Sequence, residues 1–317
     1  MTQLGLGLDL STKRTRKREF LDEMRRVVPW SKLIALIEPH YPKGKTGRPP
    51  FPVATMLQIH FMQQWFGLSD PAMEEALYDV PLYRDFAGLD GGMTRLPDES
   101  TILRFRHLLE EHGLAVQMFA VVNEILISKG LMLKAGSVVD ATLISAPTST
   151  KNASGERDPE MHQTQKGRSW YFGMKAHIGV DAESGLVHTV VGTAANRADI
   201  NEAQLLLHGD ETDVYADAGY QGIHKRCAQG SARWHIAMRP SRRKQLDLKD
   251  RLDAIFNQIE RLKAGIRAKV EHPFRVLKQQ FGYTKTRYRG LAKNTAQITT
   301  LFALGNLWMA RKQLLKA

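Results

Sequence analysis

Ser137-Val138-Val139-Asp140-Ala141-Thr142 is an apolar, β-branched run that arrives at an acid, and Val214-Tyr215-Ala216-Asp217-Ala218-Gly219-Tyr220 repeats that pattern further along the chain. Such runs, bounded by glycine and turn residues, read as short buried strands, each with a carboxylate at its end. Gly130 and Gly136 mark the change from helical to strand chemistry just before the first of them. Residues 137–140 and 142–144 form the first expected strand, 170–180 the second and 186–194 the third, with Asp181-Ala182-Glu183-Ser184-Gly185 as the turn between the last two. Asp199 is expected to cap a helix carrying Ile200, Ala203, Leu206 and Leu207; Asp213 then leads into a fourth strand ending at Asp217, and 234–238 is a fifth. Residues 145–169 are polar, hold Pro147, Gly155, Pro159 and Gly167, and lack an apolar period, so they read as a mobile loop. Its Lys151, Arg157, Lys166 and Arg168 suit either DNA contact or solvated surface.

Three antiparallel strands, a helix, a parallel strand and more helix is the order of a ribonuclease-H-like fold. That order sets the first and fourth strands side by side and brings Asp140 toward Asp217. A third acid lies in the helix that follows. Ile255, Ile259, Leu262, Ile266 and Val270 recur at three and four residues, which predicts a buried stripe. Glu271 sits beside it, with Arg267 four residues earlier, Arg275 four later and Lys278 seven later. Pro273 predicts a kink or helix junction immediately after Glu271, because an interior proline removes a donor and frees a carbonyl. Oxygen ligands suit Mg²⁺, which keeps several waters and takes few carboxylates. Two such ions about 3.5–4 Å apart serve in-line displacement at a phosphodiester. For any one of these acids alone, a turn cap or a surface ion pair is the simpler reading. Asp181 suits a turn, and His177 a core hydrogen bond better than a hard-metal site.

Asp158-Pro159-Glu160-Met161-His162-Gln163-Thr164, Phe172-Gly173-Met174-Lys175-Ala176-His177-Ile178-Gly179-Val180-Asp181, Asp217-Ala218-Gly219-Tyr220-Gln221-Gly222 and the spaced set Arg267, Glu271, Lys278 resemble the DDE transposases of bacterial insertion sequences. The resemblance is to the insertion-sequence-five group within the wider insertion-sequence-four-like superfamily, and it extends over nearly the whole chain. It implies that Asp140, Asp217 and Glu271 are the catalytic, metal-binding acids, holding two Mg²⁺ with Mn²⁺ tolerated. It further implies that the enzyme hydrolyses phosphodiesters at element ends and joins the freed 3′ ends to target DNA. The partners implied are double-stranded DNA, both terminal inverted repeats and target, and a second copy of the chain in a homodimer on DNA. One position departs from the wider signature, where a tyrosine three residues before the arginine is replaced by Ala264.

Composition agrees. The chain has 317 residues, 43% of them hydrophobic, enough for a sizeable core and two domains. Its formal charge of +12 calls for an anionic partner, and polyphosphate meets that need through counterion release. The single cysteine, Cys227, excludes an intrachain disulfide and a cysteine-rich zinc finger, and its grouping with His224 and His235 is a poor metal motif. Residues 114–127 and 298–310 are too short and too polar to cross a membrane, and the basic cluster at 13–18 does not precede an apolar core as in a signal peptide. A cytoplasmic, nucleoid-associated protein without membrane contact is expected.

Residues 1–135 read as a helical DNA-binding and dimerisation domain, and 136–317 as the catalytic domain. Phe20, Leu21, Met24, Val27 and Val28 recur at helical spacing until Pro29. Residues 43–50, with Lys43, Lys45 and Arg48 among glycines and prolines, read as a connector or a minor-groove arm. Residues 53–66 and 72–77 are helices separated by Gly67-Leu68-Ser69-Asp70, and Pro97-Asp98-Glu99-Ser100-Thr101 opens another. Helix, turn, helix is the layout of a DNA reader, and places Ser100, Thr101, Arg104 and His107 toward DNA. An ordinary helical bundle has the same period. The expected architecture is therefore α/β: a ribonuclease-H-like catalytic domain, with a mixed five-stranded sheet and flanking helices, preceded by an all-α, helix-turn-helix-like domain. Two rival functions share parts of this pattern: a nuclease that hydrolyses without joining, and a catalytically inactive DNA-binding regulator.

Overall fold

The computed structural model describes residues 14–44, 47–89, 95–225 and 232–316. Lys45 and Cys227 lie outside the described residues. The first part of the chain is helical: α1 (Arg16–Val27), α2 (Trp30–Ile37), α3 (Val53–Phe66), α4 (Asp70–Asp79), α5 (Pro81–Phe86), α6 (Glu99–Glu111) and α7 (Leu114–Ser128). Side-chain oxygens start three of these helices, with Thr15, Ser69 and Asp98 accepting from the N–H of Arg18, Ala72 and Thr101. Gly67 ends α3 with φ of 68°, a left-handed conformation that glycine adopts without steric cost.

The second part carries β1 (Gly136–Ser145), β2 (His162–Lys166), β3 (Ser169–Asp181), β4 (Val187–Ala194), α8 (Asp199–Glu202), β5 (Asp213–Ala216), β6 (Arg233–Ile236), α9 (Pro240–Arg243), α10 (Arg251–Arg267), α11 (Glu271–Arg275) and α12 (Leu291–Leu314). β3 pairs antiparallel with β1, with β2 through its first residues and with β4 through the rest. β5 and β6 extend the sheet in parallel from β1. The mixed sheet with helical surroundings fits the ribonuclease-H-like order, but it has six strands rather than the five expected. The additional strand, β2, comes from the polar segment 145–169. Its sequence hid it because β2 has four of its five residues exposed and therefore shows no apolar alternation.

The same segment is also less free than its composition implies. Asp158 and Glu160 accept the N–H groups of Gly290 and Leu291 at the start of α12, and Met161 is buried. Arg289 donates to the Ser154 hydroxyl, and Arg157 stacks on Phe172. Asp158-Pro159-Glu160-Met161 is thus an N-terminal clamp on α12, which uses carboxylates where the helix dipole favours them.

Strand alternation divides the core. Val138 joins a large cluster that runs from Leu21 of α1 through β3 to Ala310 of α12, whereas Val139 points to a smaller cluster of Ala203, Leu206, Val214, Ala216, Tyr220 and Ile223. α12 packs on α7 and β4 and also touches α1 and α3, so the helical part and the sheet share one apolar interior. The sheet leaves little room at Gly179, where an added Cβ meets the Leu206 carbonyl at 2.3 Å and the His188 ring at 2.6 Å. Gly179→Ala is expected to lower stability by about 2–3 kcal/mol through overpacking, read as an earlier urea midpoint at unchanged slope.

Two expectations about the Glu271 region are corrected. Ile255, Ile259 and Leu262 do not form a buried stripe; they are exposed, together with Leu252 and Phe256. α10 instead turns its polar face to the body. Glu260 accepts from Met238 N–H and from Lys263, Lys263 also donates to the Ile236 carbonyl, and Arg243 donates to Asn257. The helix break also falls before Glu271, not after it. α10 ends at Arg267, residues 268–270 form a tighter turn, and α11 starts at Glu271. Pro273 sits buried in the first turn of α11, where a missing N–H costs nothing. A π-helical turn at 276–280 follows. Among the described residues no helix is long and apolar enough to cross a membrane.

Candidate metal centre

β1 and β5 run parallel with Val138 opposite Tyr215; Asp140 lies two residues further along β1, and Asp217 is the residue that follows the end of β5 at Ala216, so both acids come to the same end of this strand pair. Asp140 accepts the N–H of Ala141 at 2.7 Å, and Asp217 accepts that of Gly219 at 2.8 Å as β5 gives way to the turn at 218–220. Burial raises the Asp140 carboxyl to about 6, the neighbouring Asp217 pushing the same way while the Ala141 hydrogen bond and Arg267 oppose it. Beneath this pair Tyr220 is fully buried, and its hydroxyl has no hydrogen-bond partner among the described residues. Burial, then Asp199, Asp140 and Asp217, drive its ionisation far upward.

Asp199 is thus a fourth acid at this end of the sheet, and one that sequence reading gave another role. The expected helix cap is not made. Ala198 occupies the cap position, and Asp199 takes a 2.8 Å ion pair from Lys175 on β3. His177 is wholly buried, with Nε2 on the Thr193 hydroxyl, and burial lowers its pKa. Asp181 holds its turn, accepting from Lys134 N–H and from the Ser184 N–H and hydroxyl.

The basic residues of the third motif divide. Arg267 acts electrostatically on both Asp140 and Tyr220. Lys278 is tied to β1, donating to the Thr142 hydroxyl at 2.6 Å and the Leu143 carbonyl at 3.1 Å, and burial lowers its pKa. Arg275 is exposed and donates to Gln279. Glu271 is exposed on the first turn of α11, four residues after Arg267. The described structure does not gather Asp140, Asp217 and Glu271 into a group whose oxygens all lie within 4.8 Å. The donor set nevertheless fits a hard cation. It is all oxygen, and the neighbouring Asp217 opposes ionisation of the buried Asp140, which a divalent ion would relieve.

A different trio, His188, His208 and Glu211, does place its ligand atoms within 4.8 Å of one another, beside Ser137 near the start of β1 and away from Asp140 and Asp217. Glu211 is already engaged there by the N–H groups of His208 and Gly209 and by the Ser137 hydroxyl. Burial pushes its carboxyl upward, but these hydrogen bonds bring it net below the usual range. Sequence reading did not single out this trio: His208 and Glu211 lie three residues apart in the loop before β5, and His188 joins them from β4 only in three dimensions.

The residues expected to face DNA in the helical part lie elsewhere. Arg48, Thr101 and Arg104 meet at one groove, joined by Arg95. Ser100 donates its hydroxyl to Asp98.

Against known proteins, residues 132–307 match a family model described as a transposase DDE domain, and residues 9–108 match one described as a transposase domain (DUF772). Among solved structures the chain is similar to a piggyBac transposase synaptic complex with hairpin DNA, at 13% identity and a TM-score of 0.45, over 94% of this chain and 73% of that one.

Proposed function

We propose, for a chain that belongs to the DDE transposase family, that it is an insertion-sequence enzyme of the insertion-sequence-five group that cuts at element ends and joins the 3′ ends to target DNA. The observation that supports this reading is that β1, which carries Asp140, and β5, which leads into Asp217, are parallel neighbours, with Asp217 acting electrostatically on Asp140, in the segment that matches the family. Asp140, Asp217 and Glu271 are the residues that would hold two Mg²⁺, or Mn²⁺ in their place. Such ions, when bound, activate an attacking oxygen and stabilise the leaving one.

The chain's own contribution is positioning and charge. Arg267 offsets the Asp140–Asp217 repulsion, and Lys278 fixes β1 two and three residues beyond Asp140. Tyr220 is buried within electrostatic reach of both acids, and exposed Arg275 would bind a phosphate. In this reading residues 1–135 bind the terminal inverted repeats, residues 136–317 perform the chemistry, and two copies act together because two ends must be joined.

A strand-joining assay with labelled element-end duplex, plasmid target and Mg²⁺ tests this. Joined product from wild type and none from Asp217→Ala is the expected result. Hydrolysis without joining would instead favour a nuclease, and end binding without cleavage by either protein would favour a regulator.

A further inference from the structure

A groove of about 260 Å³ lies between Tyr41, Pro42, residues 48–51, Arg95 and α6. Its floor is aromatic and largely buried, with Phe51 and Phe105 both below a tenth exposed, and the Tyr41 hydroxyl donates to the Phe51 carbonyl. Three guanidiniums line it, those of Arg48, Arg95 and Arg104. Arg95 lies 4.0 Å over the Phe51 ring and donates to the Pro49 carbonyl, which fixes it against the wall. None of the three forms an ion pair among the described residues. Three like charges brought from three chain segments to one concavity repel one another, and an anion relieves that repulsion.

The neighbouring start of α6 has the opposite character. Asp98 and Glu99 are exposed there, Glu74 accepts the Glu99 N–H, and Ser100 and Thr101 are engaged by the Asp98 carboxylate. That acidic turn is ill suited to entering a DNA groove and reading bases, whereas Arg104, one turn later, faces the arginine-lined groove.

We propose that this groove grips the sugar-phosphate backbone of one strand of duplex DNA, with Arg48, Arg95 and Arg104 each on a phosphate and none reading a base. The proposal rests on the reading that the chain acts on DNA, and it converts the α6 arginine from a specificity contact into an affinity contact. Phosphate contacts strengthen binding uniformly across sequences and set its salt dependence, so losing one weakens every duplex alike, whereas base contacts discriminate among sequences.

The test is binding of the full chain to an element-end duplex and to an unrelated duplex across a salt series. Arg48→Gln, Arg95→Gln and Arg104→Gln are compared with wild type, and thermal melting of each variant monitors folding. Arg48 and Arg104 are exposed, so those two variants keep the test decisive if Arg95→Gln disturbs the Phe51 wall. Each is expected to lower the slope of log K against log salt by about 0.9, and to weaken both duplexes by the same factor. Unchanged slopes, or a loss confined to the element end, would overturn the proposal while leaving the transposase reading intact. Absence of DNA binding by wild type at every salt would overturn both.

Discussion

Asp140→Asn is expected to make the metal-free chain more stable while removing its chemistry. The carboxyl titrates near 6 because burial and Asp217 disfavour its charge. Its pKa is raised on folding, so between roughly pH 4 and 6 the folded chain keeps a proton that the unfolded chain has lost. Its destabilising contribution therefore grows as pH rises through that window and is complete above about 6. A shift of this size corresponds to about 2–3 kcal/mol at most. Asparagine still accepts the Ala141 N–H but carries no charge, so the variant is expected to gain about 1–2 kcal/mol at pH 7 and nothing at pH 4. Mg²⁺ at about a hundred times its dissociation constant should stabilise wild type by about 2.7 kcal/mol and the variant by far less. Because losing even an outer-shell partner of a metal costs about 10–100-fold, strand joining should fall by more than about 100-fold. Denaturation curves at the two pH values, with and without Mg²⁺, check this. A variant less stable than wild type at pH 7 without metal would contradict the placement of the two acids.

The largest expected loss of stability is at Asn306. It is wholly buried on α12, accepts the Val187 N–H at 2.8 Å, and donates to the Val187 carbonyl at 2.7 Å and to Asn123 at 2.9 Å. These bonds fasten the helix to the first residue of β4 and to α7 at once. Asn306→Leu leaves three buried polar groups without partners, each worth about 1–3 kcal/mol. A loss of about 3–5 kcal/mol is expected in urea unfolding, with Asn306→Asp also destabilised because it buries a charge. A change below about 1 kcal/mol would show that the junction between sheet and helices is held chiefly by its apolar contacts.

What the sequence made legible was what period and punctuation encode. The β-branched runs at Val138 and Val214 named two adjacent strands, and Ser69, Asp98 and Gly67 marked helix ends, because these signals are local. β2 was not legible, since an exposed hairpin has no inward face to pattern. The α10 stripe was legible as a pattern but misleading as to burial. Periodicity reports that one face is apolar, not which way it points, and the hydrogen bonds of Glu260 and Lys263 decide that. Pro273 was read as a helix breaker although it starts a helix. At the site, two acids were positioned by adjacent strands, whereas Asp199, at the start of α8, and Tyr220, in the turn after Asp217, act on them only through the three-dimensional packing. Arg95 was missed for the same reason, since it joins Arg48 and Arg104 only in three dimensions.

Glu271 is the acid whose membership the free chain leaves most exposed to test, since it is at the surface while Asp140 and Asp217 come from neighbouring strand ends and interact electrostatically. The decisive measurement is the rate of strand joining by Glu271→Gln in Mg²⁺, with Asp140 and Asp217 intact and DNA binding matched to wild type. A fall of more than about 100-fold is the result that makes the three carboxylates one metal centre. Joining at the wild-type rate would contradict that account and remove Glu271 from the site.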